Sequence, residues 1–139
     1  MVTRLAVERR RILMSPQWLL LAALALGVIA FATLCPMQWR PRLWANPDLE
    51  RFVAFAALGF AVKLAFPRKH LWTVLGLMLV AVGLEAAQSL APGRDAHLRD
   101  AAVKAIGAAT GVQVGLVSLI ARRALARRYH QALEALASS

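Results

Sequence analysis

Gln17-Trp-Leu-Leu-Leu-Ala-Ala-Leu-Ala-Leu-Gly-Val-Ile-Ala-Phe31 lies inside a run of 28 residues, between Arg11 and Arg40, that carries no charge. A helix rises about 1.5 Å per residue, so roughly 20 such residues cross a hydrocarbon core of about 30 Å. Pro16 suits a first helical turn, and Cys35-Pro36 closes the far end. A basic start before an apolar run also describes a signal peptide. This run is too long for one, however, and no small-x-small cleavage site follows it. Leu34 directly before Cys35 is equally wrong for lipoprotein processing. The stretch reads as an uncleaved first membrane span, about 16–35.

The rest of the chain agrees with that reading. Of 139 residues 60% are apolar, mean hydropathy is +0.57, and the formal charge is +10 with a pI near 11.6. A water-soluble domain of this size cannot hide so much apolar surface. The same composition excludes disorder, and the single cysteine, Cys35, excludes a disulfide scaffold. Three more spans are predicted, at about 48–66, 71–90 and 101–121. The second follows Trp39-Arg-Pro-Arg-Leu-Trp-Ala-Asn-Pro, a loop by its prolines and interfacial by its tryptophans; it is strictly uncharged only from Phe52 to Val62, and Lys63 is expected to snorkel. The third contains one charge, Glu85. The fourth contains Lys104 near its start and ends at Arg122-Arg123. The expected fold is an all-α membrane protein, a four-helix bundle forming one domain over 1–139, with a basic tail at 122–139 that continues as an interfacial helix. No internal repeat, nucleotide-binding glycine loop or metal-spaced Cys/His cluster is present, so no cofactor or metal is expected.

Orientation follows from the cations. The amino tail, the 67–70 turn and the carboxyl tail, with Lys63, hold eleven of the seventeen Lys and Arg. Positive-inside places both termini in the cytoplasm. Five of the seven acids (Asp48, Glu50, Glu85, Asp95, Asp100) then fall on or near the outer side with six cations. The inner balance is +9 and the outer +1. Nucleic-acid binding is not expected, because the cations flank spans and form no groove with interleaved aromatics.

The polar outer residues are the candidate site. Glu85 lies eight positions before Gly93, about 12 Å below the outer helix end, where an ionised carboxylate costs at least a few kcal/mol unless paired or hydrated. Gln88 shares its face at i+3. Asp100 is placed as an N-cap of the fourth helix. From there Asp100, Lys104, Gly107, Gly111 and Gly115 form one stripe, polar at its outer end and glycine below. Two readings compete. In one, the glycines let the fourth helix pack closely on a neighbour, Glu85 is neutralised by Lys104, Arg94 or Arg51, and Gln88 hydrogen-bonds across helices. In the other, Glu85, Gln88, Arg94, Asp100, Arg51 and Lys104 line an outward-facing pocket for a polar ligand or a proton. Other residues read as structural: His97, His70 and His130 as solvated, Trp18, Trp39, Trp44 and Trp72 as interfacial anchors, Phe52, Phe55, Phe60 and Phe66 as packing or lipid-facing groups, and Cys35 as inert.

From about Asp48 to Gly115 the chain resembles the VanZ-like family of small bacterial membrane proteins. The resemblance rests on Arg51-Phe-Val-Ala-Phe-Ala-Ala-Leu-Gly-Phe, on Gly83-Leu-Glu-Ala-Ala-Gln88, on Pro92-Gly-Arg94, on Asp100, and on Gly107 with Gly111. Two positions depart from it: many members have histidine at the place of Arg51 and asparagine at that of Lys104. Both changes install a fixed cation, which disfavours a histidine-based proton relay and favours a charged Glu85. The resemblance implies a cell-envelope setting, since the family is named after an accessory protein associated with glycopeptide-antibiotic resistance. It does not by itself assign this chain to resistance.

Three functions are compatible with these residues. The first is an envelope-associated binding protein whose outer pocket takes a lipid headgroup, a lipid-linked sugar or a glycopeptide-related ligand, with Arg94 donating to carboxylate or phosphate. The second is a structural or assembly subunit of a larger membrane complex. The third is a membrane enzyme using Glu85 as acid or base, for which no paired nucleophile or metal constellation is visible. Membrane lipids and a lipid-linked glycan or another membrane protein are the expected partners. The sequence sets no oligomeric state.

Overall fold

The computed structural model describes residues 16–34, 46–90 and 97–137. Those residues form four helices and no strand: α1 (Pro16–Leu34), α2 (Pro47–Ala65), α3 (His70–Ser89) and α4 (Leu98–Ala137). Cys35, Trp39, Arg40, Arg42, Trp44, Arg94 and Asp95 lie outside the described residues.

α1, α3 and a long stretch of α4 are long and apolar enough to cross a membrane, whereas α2 is not. α2 nevertheless occupies the centre of the bundle. It meets α1, α3 and α4, and its contact with α4 is the most extensive in the molecule. Phe55 and Leu58 of α2 are sealed with Leu77 and Ala81 of α3, Ala108 and Val112 of α4, and Ile29 of α1 in a single apolar core. The two most apolar helices, α1 and α3, thus sit outside, with α1 showing Leu20, Leu24, Val28 and Phe31, and α2, with its four charges, sits within. A helix surrounded by protein need not be apolar all round.

Local chemistry sets the ends of α2. Asn46 caps it, its Oδ1 accepting the amides of Asp48 at 3.0 Å and Leu49 at 3.4 Å. Pro47 takes the first position, and Asp48 and Glu50 in the first turn suit the positive end of the helix dipole. At the other end the Phe66 amide donates to Val62 O at 2.9 Å and the chain turns through Pro67-Arg-Lys. Lys63 does not snorkel into the interface. It is wholly buried and donates to the Pro67 carbonyl at 2.9 Å, so its ammonium is held inside the protein by the turn that follows it. His70 also differs from expectation, since its Nδ1 is buried without a partner among the described residues.

α4 departs most from the predicted boundaries. It begins three residues early, at Leu98, and runs 40 residues without a break. At 1.5 Å per residue that is about 60 Å, twice a hydrocarbon core. Nothing in Ala-Arg-Arg-Ala-Leu-Ala after Ile120 breaks a helix, because Ala, Leu and Arg are all strong helix formers. From Ala121 to Leu136 every residue is exposed.

α2 and α4 run parallel, and the glycine stripe of α4 meets α2 position by position. A methyl group at Gly107 would overlap the carbonyl of Phe52, and one at Gly111 the carbonyl of Ala56; at Gly115 it would come within 3.0 Å of the Lys63 Cβ. Gly59 answers from α2, facing the Ala108 carbonyl. Glycines four residues apart here let two backbones touch, the association mode expected where no water drives helices together.

Gly111→Ala is therefore expected to lower unfolding stability in detergent by about 1–3 kcal/mol, as overpacking does, despite the gain of about 1 kcal/mol in helix propensity. Gly83→Ala, where nothing lies within 4 Å of the added methyl, is expected to be neutral or stabilising. Equal stability of the two variants in a thermal or denaturant melt would contradict the backbone contact.

Candidate functional site

The ends of α2, α3 and α4 that meet at the α3–α4 connection concentrate charge. α2 contributes Asp48 and Arg51 from its first turns, α3 Glu85 and Gln88 from its last, and α4 Arg99, Asp100 and Lys104 from its first two. Glu85 lies four residues before the end of α3, so about 6 Å inside it rather than about 12 Å. Asp100 is the third residue of α4 and not its cap. The His97 carbonyl takes the amides of Asp100 at 2.8 Å and Ala101 at 3.2 Å, leaving the Asp100 side chain free to reach across to α2.

Two layers are visible. In the inner one, Lys104 donates to Glu85 Oε2 in a short ion pair, with both residues almost completely buried. The His97 amide donates to the other carboxylate oxygen at 2.9 Å, so both oxygens of Glu85 are engaged. Gln88 is buried one turn along α3. In the outer layer, Arg51 donates to Asp48 at 3.1 Å and to Asp100 at 2.9 Å, and Arg99 reaches Asp48 at 2.9 Å. The pairing between helices is crossed: acid then base on α2 (Asp48, Arg51) meets base then acid on α4 (Arg99, Asp100). Exposure rises outward, from 3% for the Lys104 side chain through 18% for Arg51 to 80% for Arg99.

Of the partners open for Glu85 in the sequence, the structure selects Lys104; Arg51 is taken by the two aspartates. Glu85, Gln88, Asp100, Arg51 and Lys104 come together, while Arg94 falls outside the described residues. Asp48 and Arg99 belong to the same cluster but were not among the expected site residues. The acid-x-x-base spacing of Asp48 and Arg51 in a first helical turn was the available signal for the former. Among the described residues no group of His, Cys, Asp and Glu is arranged to hold a metal.

A sequence match to VanZ/LLP1 covers residues 12–121. The chain belongs to the VanZ/LLP1 family. No curated protein sequence and no solved structure matches the chain. The VanZ/LLP1 match is wider than the resemblance between Asp48 and Gly115, because it takes in α1, whose plain apolar sequence offers no motif to read. It stops at Ala121, where the exposed part of α4 begins. With three helices of spanning length and apolarity, this VanZ/LLP1 chain is a membrane protein.

Removing one member of a buried pair leaves an uncompensated charge, costing about 3–5 kcal/mol, whereas replacing both by apolar groups is often neutral. Glu85→Leu and Lys104→Met are each expected to be strongly destabilising, and the double variant to recover most of that loss. A double-variant melt showing simply additive losses would mean that the two side chains act independently.

Proposed function

We propose that the protein is an inner-membrane, envelope-associated binding protein that crosses the bilayer four times with both termini cytoplasmic. Its outward-facing polar cluster takes the polar part of a lipid-linked sugar, a lipid headgroup or a glycopeptide-related ligand. The observation that carries this reading is the buried Glu85–Lys104 pair beneath a rim of half-buried Arg51 and Asp48 and exposed Arg99. Intramembrane charges are costly, and their default meaning is function. The gradient of exposure gives a ligand a way in. An anionic group would exchange with Asp48 or Asp100 at the Arg51 guanidinium, whose planar fork suits carboxylate and phosphate. Gln88 and, with the rim opened, Glu85 would receive hydroxyl or amine hydrogens. Acid–base catalysis by Glu85 is the weaker reading, because both its oxygens are already occupied.

A second reading, as an assembly subunit, draws on a different observation. The exposed last part of α4 presents Leu125, Tyr129, Leu133 and Leu136 at helical spacing on one side, with Arg123 and Arg127 on the other. A partner helix would find a ready surface there. The internal glycines give this reading no support, since α2 already covers them.

The binding reading is tested with the Glu85→Leu/Lys104→Met double variant at accumulation matched to wild type. Loss of the envelope-stress or antibiotic-susceptibility phenotype of the wild-type protein is expected. Full retention would reduce the pair to a packing element. Gentle purification followed by mass spectrometry separates the two readings: a co-isolating polar lipid is expected, and a stoichiometric protein partner would favour the subunit. A tag on the amino tail is expected to be protected from outside in intact cells. Labelling there would overturn the orientation and the outward placement of the site together.

A further inference from the structure

At the end of the bundle opposite the charged cluster, α1 and α3 stand apart. Between them lies a groove of about 480 Å³, within the range of cavities that take a small ligand. Leu19, Ala22 and Leu26 form one wall, Gly76 and Val80 the other, and Leu58 of α2 the floor. Small residues here do not mean close contact. A methyl group built on Gly76 would meet nothing within 4 Å, whereas one on Gly111 would run into the backbone of α2. The glycine widens a cleft instead of sealing a helix pair.

A cleft of this size gives its lining groups few dispersion partners within the protein. Water is a poor occupant, because an almost wholly apolar lining offers it few hydrogen-bond partners. What fills it must be apolar and must arrive from the side. The two helices that frame it both carry exposed leucine and valine on their outer faces and are both apolar enough to cross a membrane, so the medium beside the groove is lipid. At the mouth the chemistry changes. Lys69 lines the groove at the turn between α2 and α3, next to exposed Arg68, and Trp72 stands beside it, 73% exposed. The Thr73 hydroxyl and amide both donate to the Lys69 carbonyl, at 2.6 Å and 2.9 Å, which fixes the backbone that carries the cation. An aromatic side chain of this kind marks the level of the headgroups, and basic pockets between membrane helices receive anionic headgroups.

We propose that this groove is a binding site for an anionic phospholipid of the leaflet that meets the α2–α3 turn. One acyl chain lies between α1 and α3 over Gly76, and the headgroup phosphate is held by Lys69. The site is separate from the charged cluster and does not depend on its role.

The test uses the full-length protein extracted from bilayers of equal phosphatidylglycerol and phosphatidylcholine, with retained lipid counted by native mass spectrometry. Wild type is expected to keep phosphatidylglycerol over phosphatidylcholine by roughly fivefold, the preference that one lysine near an anionic surface gives. Gly76→Leu fills the groove and is expected to lose the retained lipid, while Gly83→Leu, which adds the same bulk at an equally open position outside the groove, keeps it. Lys69→Gln is expected to retain lipid without the headgroup preference. Equal retention by Gly76→Leu and wild type would overturn the site. So would a change in copy number, without lipid loss, on Gly76→Leu, because the groove would then belong to a second copy of the chain. Should Gly76→Leu fail to accumulate, Lys69→Gln decides alone, and an undiminished phosphatidylglycerol preference refutes the proposal.

Discussion

The parallel contact of α2 and α4, backbone against backbone, is what the rest of the structure depends on. Three glycines on α4 and one on α2 remove the side chains that would hold the helices apart. Once they touch, the face of α2 that carries Asp48, Arg51 and Lys63 turns towards α4, with Lys63 wholly buried and the other two half-buried. That is how a helix with these three charges can be the central helix of a membrane protein. The crossed pairs Asp48–Arg99 and Arg51–Asp100 then act as a register mark. A slip by one turn along α4 would keep glycines of its four-residue repeat against α2 but separate both pairs, so the ion pairs fix a register that the glycines alone leave open.

Parallel helices also set their positive dipole ends side by side, which is unfavourable in a medium that screens poorly. Asp48, Glu50 and Asp100 all fall in those first turns and offset it. α3 brings its own negative end to the same place, and Glu85 would be out of place there without Lys104. The charged cluster thus has a structural explanation alongside its proposed ligand. The two are compatible, because a rigid, fully paired inner layer is what an exchangeable outer layer such as Arg51 needs as support.

Much of this was legible in the residues because few physical rules are involved. Helix number and near-boundaries followed from run length and proline placement, and the stripe from Asp100 to Gly115 followed from counting in threes and fours. The choice of partner for Glu85 was not legible, since Lys104, Arg51 and Arg94 all lay within plausible reach and only the seating of α2 on α4 separates Lys104 from Arg51. Lys63 was misjudged because snorkelling is the usual fate of a lysine near a helix end, and nothing in a linear sequence says that Pro67 will turn its carbonyl back. The start of α4 was misplaced because the strong capping preference of Asp100 masked the simpler role of His97. The helical continuation past Arg122-Arg123 was legible, because alanine, leucine and arginine all continue a helix well.

The order in which the helices are made follows from the pairing of α2. In the four-span reading, α2 leaves the ribosome before its covering helix exists, and some thirty residues of turn and α3 separate the two. Its four charges would meet the insertion machinery uncovered. In that reading α3 takes its orientation only once α2 has crossed, so the crossing of α2 comes first and the covering of its charges follows when α4 arrives. The contact that shields the centre of the bundle is in this sense the last to be made.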